Sequence, residues 1–485
     1  MLSLTELLAK ADIAAPVMGD GAVRIAGIAN DSRQVEKGFL FIAITGSKQD
    51  GAQYIDQAMA KGAVAVISTT ARALPVPHVQ VADARPVTAR LAAAFYGRTP
   101  AHLFAITGTD GKTSTADFVR QLAGLLGHSA ASIGTLGLRS PDETLNAAFP
   151  ANNTSPDPIL LQHTLQQLAD AKVTHVALEA SSHGLDQHRL DGMRLTAAAY
   201  TNLTRDHLDY HGTVEAYAAA KALLFTEVLQ PGTTAMLNRD DAQFAPISAI
   251  CQQRGVLVKS FGVHADADLR VLQVTPHAGG LDAVLMLEGA RHEISLPLYG
   301  AFQLSNMLAA MGLLQASGAS LSEMVALLPQ LKGVPGRLEK VAEKEGAPLF
   351  VDYAHTPAAL ANILKTLRPH TQKKLHVVFG CGGDRDAGKR PEMGRAATEF
   401  ADDVIVTDDN PRSENPAAIR AAILAAAPGA KEMGERDEAI RFAVKNTHAG
   451  DVLVVAGKGH ETSQLIGSKA IHFSDAEHIR EAVRQ

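Results

Sequence analysis

LFAITGTDGKTSTADFVRQLAGLLG, residues 103–127, carries three signals in one run. Leu103 to Ile106 are apolar, as in a strand buried within a parallel sheet. Gly108 and Gly111 then bracket a tight turn, and from Lys112 onward apolar side chains return at helical spacing. A strand, a glycine turn and a helix in direct succession aim backbone N–H groups and a helix N-terminus at one point, where they can cradle phosphates. In that loop, Gly108-Thr109-Asp110-Gly111-Lys112-Thr113-Ser114, Lys112 can neutralise β/γ oxygens and the Thr113 hydroxyl can ligate Mg²⁺. The common P-loop has a glycine six residues before its lysine, and Ile106 stands there instead. The plainer alternative is a glycine turn capping a helix.

Upstream, the first 98 residues alternate short apolar strands with helical stretches; FLFIAITG at 39–46 is the clearest strand, and MLSLTELLAKAD reads as an amphipathic helix rather than a secretion signal. Downstream, THVALEA (174–180) and TAAAYTNL (196–203) are strands running into polar residues. Between about 257 and 299 short strands with glycine turns suggest antiparallel hairpins. LKGVPGRLEKV, punctuated by Gly333, Pro335 and Gly336, reads as a linker. Beyond it PLFVDYAH, KLHVVFG, DDVIVTD and DVLVVAG alternate with helical patterns, the signature of a doubly wound parallel sheet. The fold class is therefore α/β in three domains. A small α/β domain spans 1–98, a central P-loop domain with a parallel sheet plus short antiparallel strands spans 99–333, and a Rossmann-like domain spans 334–485.

Composition bounds the function. The chain has 485 residues, enough for about three folding units. It has no run of ~20 apolar residues, which argues against a membrane span. Two distant cysteines, Cys251 and Cys381, make neither a disulfide framework nor a CxxC metal site and suit a reducing cytoplasm. A net charge of −6 without basic blocks argues against nucleic acid.

Two residues at strand ends draw attention. Glu179 closes THVALEA, and His207 follows TAAAYTNL; a carboxylate and an imidazole beside phosphate oxygens can hold Mg²⁺. Taken alone, Glu179 reads more readily as a loop carboxylate and His207 as a helix-start polar residue. Lys221, in AYAAAKALLF, reads by itself as a solvated helix lysine, and Asp409-Asn410-Pro411-Arg412 as a turn.

DSR (31–33), GTDGKTS, NNTSP (152–156), EASSHGLDQHR (179–189), TNLTRDHLDYHG (201–212), GAFQLSN (300–306), VPGRLE (334–339), VDYAHTP (351–357), GCGGDRDAGKRP (380–391), DNPRSENP (409–416) and AGKGHE (456–461) follow one another along the chain. In this order they resemble the Mur ligase family, in particular its branch that adds the third residue of the peptidoglycan peptide. The phosphate loop with shortened glycine spacing is shared with folylpolyglutamate synthases, and Asp110 replaces the asparagine more usual there.

The resemblance implies a cytoplasmic, monomeric, ATP-dependent ligase with a UDP-binding N-terminal domain, a central ATPase and an amino-acid-receiving C-terminal domain. Its small-molecule substrates would be ATP, UDP-N-acetylmuramoyl-L-alanyl-D-glutamate and meso-diaminopimelate, joined through an acyl phosphate. By resemblance, Ser32 binds uridine diphosphate, and Asn153, Thr154, Ser155, Ser181, Gln187 and Arg189 contact the muramoyl-peptide. Asn306 lies near adenine, and Arg337, Asp352 and His355 complete the ATP site. Thr113, Glu179 and His207 serve Mg²⁺. Lys221 is carbamylated by CO₂ to N6-carboxylysine, which makes a cation into an oxygen donor. Gln303 and Ala180 depart from the family's usual asparagine and valine.

DNPR resembles the version selecting meso-diaminopimelate. Arg412 would grip the distal carboxylate, supported by Arg385 and Asn410 within the Asp409–Pro411 turn, while Glu461 and the Gly457 backbone hold the distal ammonium. A lysine-adding enzyme would have no carboxylate for Arg412. With ATP and the amino acid contacted from different domains, closure about a hinge near 332–336 is expected. Other Mur ligases, a folylpolyglutamate synthase and a non-catalytic nucleotide-binding module are the alternatives. A dinucleotide oxidoreductase is disfavoured because Arg385 takes the third glycine position after Gly380-Cys381-Gly382-Gly383.

Overall fold

The computed structural model describes residues 1–46, 50–150 and 153–485. They form two compact units, Met1–Leu269 with Asn306–Met324, and Arg270–Ser305 with Val325–Gln485.

The first unit begins with the helix Leu4–Lys10. Ser3 and Glu6 form a capping box there, each side chain satisfying the other's backbone N–H. A sheet follows in the order Val17–Met18, His78–Gln80, Ala65–Ser68, Phe39–Ile42, Gly27–Ala29. Its last four strands are parallel and its first is antiparallel. Phe39–Ile42 is the strand expected from FLFIAITG.

The unit's second sheet places the phosphate-loop strand, His102–Thr107, at its centre. Ala197–Tyr200, Thr234–Asn238 and Leu257–Gly262 lie to one side of it, and His175–Glu179 and Ala130–Gly134 to the other, all parallel. Gly137–Arg139 returns antiparallel. Phe104, Ala105, Ile106, Val176, Ala177 and Ala198 are fully buried, as strands covered on both faces require. One expectation fails at Leu257–Gly262. It pairs in parallel with Thr234–Asn238 because the helix Phe244–Gln253 provides the crossover that a parallel neighbour needs. The hairpin expected further on is present: Gly280–Leu287 and Ala290–Leu296 pair antiparallel in the second unit.

The remainder of the second unit is a sheet in the order Glu339–Lys344, Ala347–Asp352, Val452–Ala456, Leu375–Phe379, Asp403–Val406, Lys431–Glu432. All pairs are parallel except the first. The four strands read from the sequence are its core, and their carboxyl ends bring Asp352, Gly380, Thr407 and Gly457 to one edge. The fully buried Arg436–Asp475 pair (2.7 Å) braces this edge, since Arg436 also donates to the Ala456 carbonyl at 2.9 Å.

At the amino-terminal edge of the first unit's central sheet, three histidines meet. The His175 ring lies 4.6 Å from that of His102 and 4.5 Å from that of His128. Burial, reinforced by the two neighbouring rings, pushes His175 down to about 4. Its folded-state value is thus below the unfolded value, so the stabilisation is complete above about pH 6.5 and is lost as pH falls towards 4. We expect His175→Gln to reduce the loss of urea stability between pH 7.5 and 5 by ~2 kcal/mol relative to the parent chain. Parallel pH profiles for parent and variant would refute the assignment.

Candidate active site

The phosphate loop is held from both sides. Gly108 and Gly111 have φ of +146° and +84°, and a side chain on either would collide, with Thr201 and with Asn306 respectively. The following segment pins the loop: Thr109 N donates to the Asn202 carbonyl (2.8 Å), Asp110 N to Asn202 Oδ1 (2.9 Å), and the Thr201 hydroxyl to the Asp110 carbonyl (2.6 Å). The helix Lys112–Leu125 starts at Gly111 with no side-chain cap, so its first-turn amides and positive dipole end suit an anion.

Two lysines converge on this loop. Lys112 Nζ donates to the Gly108 and Thr109 carbonyls (2.9 and 2.8 Å), and Lys221 Nζ donates to Gly108 O (2.7 Å). Lys221 is 1% exposed, in the helix Val214–Leu223, and its ammonium lies 4.2 Å over the Tyr217 ring. Burial, then the nearby Lys112 charge, pushes it down to about 6; Asp206 and Asp110 oppose the shift. It is not the solvated lysine that its local sequence suggested.

Glu179 is buried at the end of its strand. Its Oε2 accepts from the Thr113 hydroxyl (2.9 Å) and the Thr135 hydroxyl (3.2 Å), and Oε1 accepts from Thr135 N (2.8 Å). His207 caps the short helix Leu208–His211 in a left-handed conformation, φ +52°. Its exposed ring is 4.9 Å from that of His183 and 6.0 Å from that of Tyr217, the ring over which Lys221 also lies.

Most of the predicted peptide-binding residues gather beside Glu179. Ser155 Oγ donates to the Glu179 carbonyl (2.8 Å) and lies 3.0 Å from Ser181 Oγ. Thr154 Oγ1 is 3.2 Å from Thr135 Oγ1. Arg189 donates to the Ser155 carbonyl (2.5 Å) and to Gln187 Oε1 (2.7 Å). Asn153 is exposed, and Asn152, which opens the NNTSP motif, lies outside the described residues. Ser32 sits in the N-terminal sheet region against Gln57 (2.8 Å); nearby, Asn30 donates to Asp157 (2.6 Å), just after NNTSP.

In the second unit, Asp352 accepts from Leu338 N (2.6 Å) and Ala354 N (2.7 Å), so its buried carboxylate fixes the VPGRLE segment. Burial raises it above the usual carboxylate range. Arg337 stacks on Tyr353 at 4.9 Å with its buried Nε unpaired, a donor suited to an anionic ligand. His355 is exposed, its Nδ1 3.0 Å from the Tyr353 carbonyl.

The DNPR turn lies at the same sheet edge. Arg412, φ +51°, donates to the Gly383 carbonyl (2.8 Å), and a Cβ on Gly382 would lie 2.8 Å from its Nη1 and 3.8 Å from Arg385 Cγ. Asp409 and Asn410 are buried, and the Pro411 carbonyl packs against Gly383. Glu461 accepts from Asn410 Nδ2 (3.1 Å) and from the fully buried Lys458 (3.2 Å). Gly457, φ +114°, brings the backbone against Asp409.

Sequence reasoning missed Thr135, Asn202 and Lys458. Lys458 stood inside the quoted AGKGHE motif, where a lysine between two glycines was the available signal. Thr135 and Asn202 are polar residues just beyond strands flanking the P-loop strand and its neighbour, a position that can be read only once strand order is known.

A phosphate loop at the centre of a parallel sheet, with a buried carboxylate on its threonine, defines a P-loop nucleotide-binding α/β protein. Residues 24–96 match the Mur ligase family catalytic domain, 106–314 the Mur ligase middle domain, and 336–459 the Mur ligase glutamate ligase domain. The UDP-N-acetylmuramoyl-L-alanyl-D-glutamate–2,6-diaminopimelate ligase of Mesorhizobium japonicum is 49% identical over 97% of both chains. That of Bradyrhizobium diazoefficiens is 49% identical over 95% of both. A solved structure of a ligase of the same name superposes with a TM-score of 0.76 at 34% identity, covering 100% of this chain and 99% of the other. The chain belongs to the Mur ligase family and is an ATP-dependent ligase.

Proposed function

We propose that this ligase adds meso-diaminopimelate to UDP-N-acetylmuramoyl-L-alanyl-D-glutamate, forming ADP and phosphate. The observation that carries this reading is the Arg412 turn at the carboxyl edge of the second unit's sheet, in a chain 49% identical to diaminopimelate ligases over nearly its whole length. The family matches at 24–96, 106–314 and 336–459 support domains of 1–98, 99–333 and 334–485. The enzyme works in the cytoplasm as a monomer; among the described residues no helix is long and apolar enough to cross a membrane.

Triphosphate rests on the loop Gly108–Ser114, with Lys112 turning from the loop carbonyls to the β/γ oxygens. Thr113, Glu179 and His207 would hold Mg²⁺, and the fit is chemical: Thr113 and Glu179, both buried, already place hard oxygens 2.9 Å apart. Bound there, the ion neutralises phosphate charge. Carbamylation of Lys221 adds an anionic oxygen beside the same loop. Asn306 faces the nucleotide from beside Gly111. In the second unit, Arg337 offers its unpaired buried Nε to an anionic ligand beside Tyr353, and Asp352 fixes the segment that carries it.

Ser32 binds the uridine diphosphate, and Asn153, Thr154, Ser155, Ser181, Gln187 and Arg189 orient the muramoyl-peptide so that its free carboxylate attacks the γ-phosphorus. ADP leaves, and the acyl phosphate remains. The amino group of diaminopimelate, positioned by Asp409–Arg412, Arg385, Gly457 and Glu461, attacks the carbonyl and phosphate departs with its bonding electrons. Positioning and charge neutralisation supply the rate enhancement.

The test is phosphate release from ATP and the dipeptide precursor with meso-diaminopimelate or L-lysine. Release dependent on diaminopimelate, with a tripeptide product by mass, is expected. Release with lysine alone would overturn the specificity, and silence with both would overturn the reaction.

A further inference from the structure

The Arg189 loop carries a second cluster that the ligase chemistry does not use. His188 Nδ1 lies 3.1 Å from Asp191 Oδ2 and 3.8 Å from Glu227 Oε2, and one ligand atom from each of the three falls within 4.8 Å of the others. A tetrahedral ion with bonds of about 2.0–2.1 Å separates its ligands by about 3.3 Å, so these distances bracket the edges of such a site. His188 and Asp191 are half-buried and Glu227 is exposed, leaving room for entry and for a water as fourth ligand.

His188 and Asp191 come from one loop and Glu227 from a separate element. Gly192, φ +77°, lets the loop press on the helix Ala84–Tyr96, where a Cβ would come 3.1 Å from Arg90 Cα. Glu227 projects from Leu224–Val228, a π-helical turn continuing the helix that bears Lys221. One imidazole with two carboxylates is a borderline donor set that favours late first-row ions over Mg²⁺.

We propose that His188, Asp191 and Glu227 form a Zn²⁺-class divalent cation site distinct from the phosphate-loop Mg²⁺ site. Such an ion ties the Arg189 loop to the π-turn following Lys221, a structural staple outside the reacting atoms. The plain ion pair His188–Asp191 is the alternative, and it requires no metal.

The test is calorimetric titration of Zn²⁺ into chelator-treated full-length protein with millimolar Mg²⁺ present throughout. One equivalent is expected to bind the parent chain. Glu227→Gln, an exposed change that leaves the fold intact, is expected to weaken binding at least tenfold, and His188→Ala to abolish that equivalent. Co²⁺ substitution gives a second readout, a visible absorption band that His188→Ala removes. No binding to the parent, or unchanged affinity and stoichiometry in Glu227→Gln, as when zinc chooses His183, His207 and His211 instead, overturns the proposal.

Discussion

Lys221→Ala is expected to lower kcat by about 10²–10³-fold, the usual consequence of deleting one preorganised charge from a reaction centre. Acetate or formate should restore part of the loss. The physical case starts from burial. At 1% exposure, beside Lys112, an ammonium at position 221 is unfavourable, and its pKa is pushed to about 6. At neutral pH most of the population is therefore the free amine, the form that attacks CO₂. Formation of the carbamate, with loss of the amine's proton, turns a neutral group into an anion beside the Lys112 cation, where an ammonium would have met repulsion. Lys221→Arg separates the possibilities, because a guanidinium keeps the charge, cannot form this carbamate and leaves no space for acetate. It should be as inactive as the alanine variant and refractory to rescue. Mass spectrometry of the intact native chain should find the increment of one CO₂, lost on acidification. A fully active Lys221→Ala enzyme that ignores small carboxylates would end the case for a carbamate.

What could be read from the sequence follows the range of the interactions. The P-loop strand and helix were legible because strand burial and helix amphipathicity are local patterns, and Ile106 in place of the usual glycine did not disturb them. Glu179 was legible as a strand end; that it accepts hydrogen bonds from Thr113 and Thr135 was not, since those residues lie 66 and 44 positions away. The Arg436–Asp475 pair joins residues 39 apart, and nothing in either local sequence announces a buried ion pair. Leu257–Gly262 misled for a similar reason. A strand with half-buried residues looks alike in a hairpin and at the side of a parallel sheet, and only the preceding crossover helix distinguishes them. Lys221 was the most misleading position, because the AYAAAK helix gives no sign that its lysine points inward at the phosphate loop.

Arg412→Ala should reduce kcat/KM for meso-diaminopimelate by about 10²–10³-fold, with the KM for ATP little changed. A charge-assisted hydrogen-bonded pair is worth ~1.5–3 kcal/mol, and leaving the ligand's distal carboxylate without its partner in a partly desolvated turn adds to that loss. The substitution isolates the side chain. Arg412 already occupies left-handed backbone at φ +51°, where alanine is no worse placed, and the turn is held by Arg412 N donating to the Leu465 carbonyl (3.0 Å) and Gly467 N donating to the Arg412 carbonyl (2.7 Å). Truncation removes one donor from the Gly383 carbonyl, a cost of ~1 kcal/mol in stability rather than a collapse of the site. Arg412→Lys keeps the charge but loses the planar fork, so it should recover only part of the rate. L-lysine, which has no distal carboxylate, should gain relative to diaminopimelate once the guanidinium is gone, because an unmatched cation no longer faces its ammonium. The measurement is initial-rate phosphate release with each amino acid for the parent, Ala and Lys forms. Unchanged diaminopimelate kinetics in Arg412→Ala would remove the guanidinium from substrate selection and shift the distal contacts to Arg385, Asn410 and Glu461.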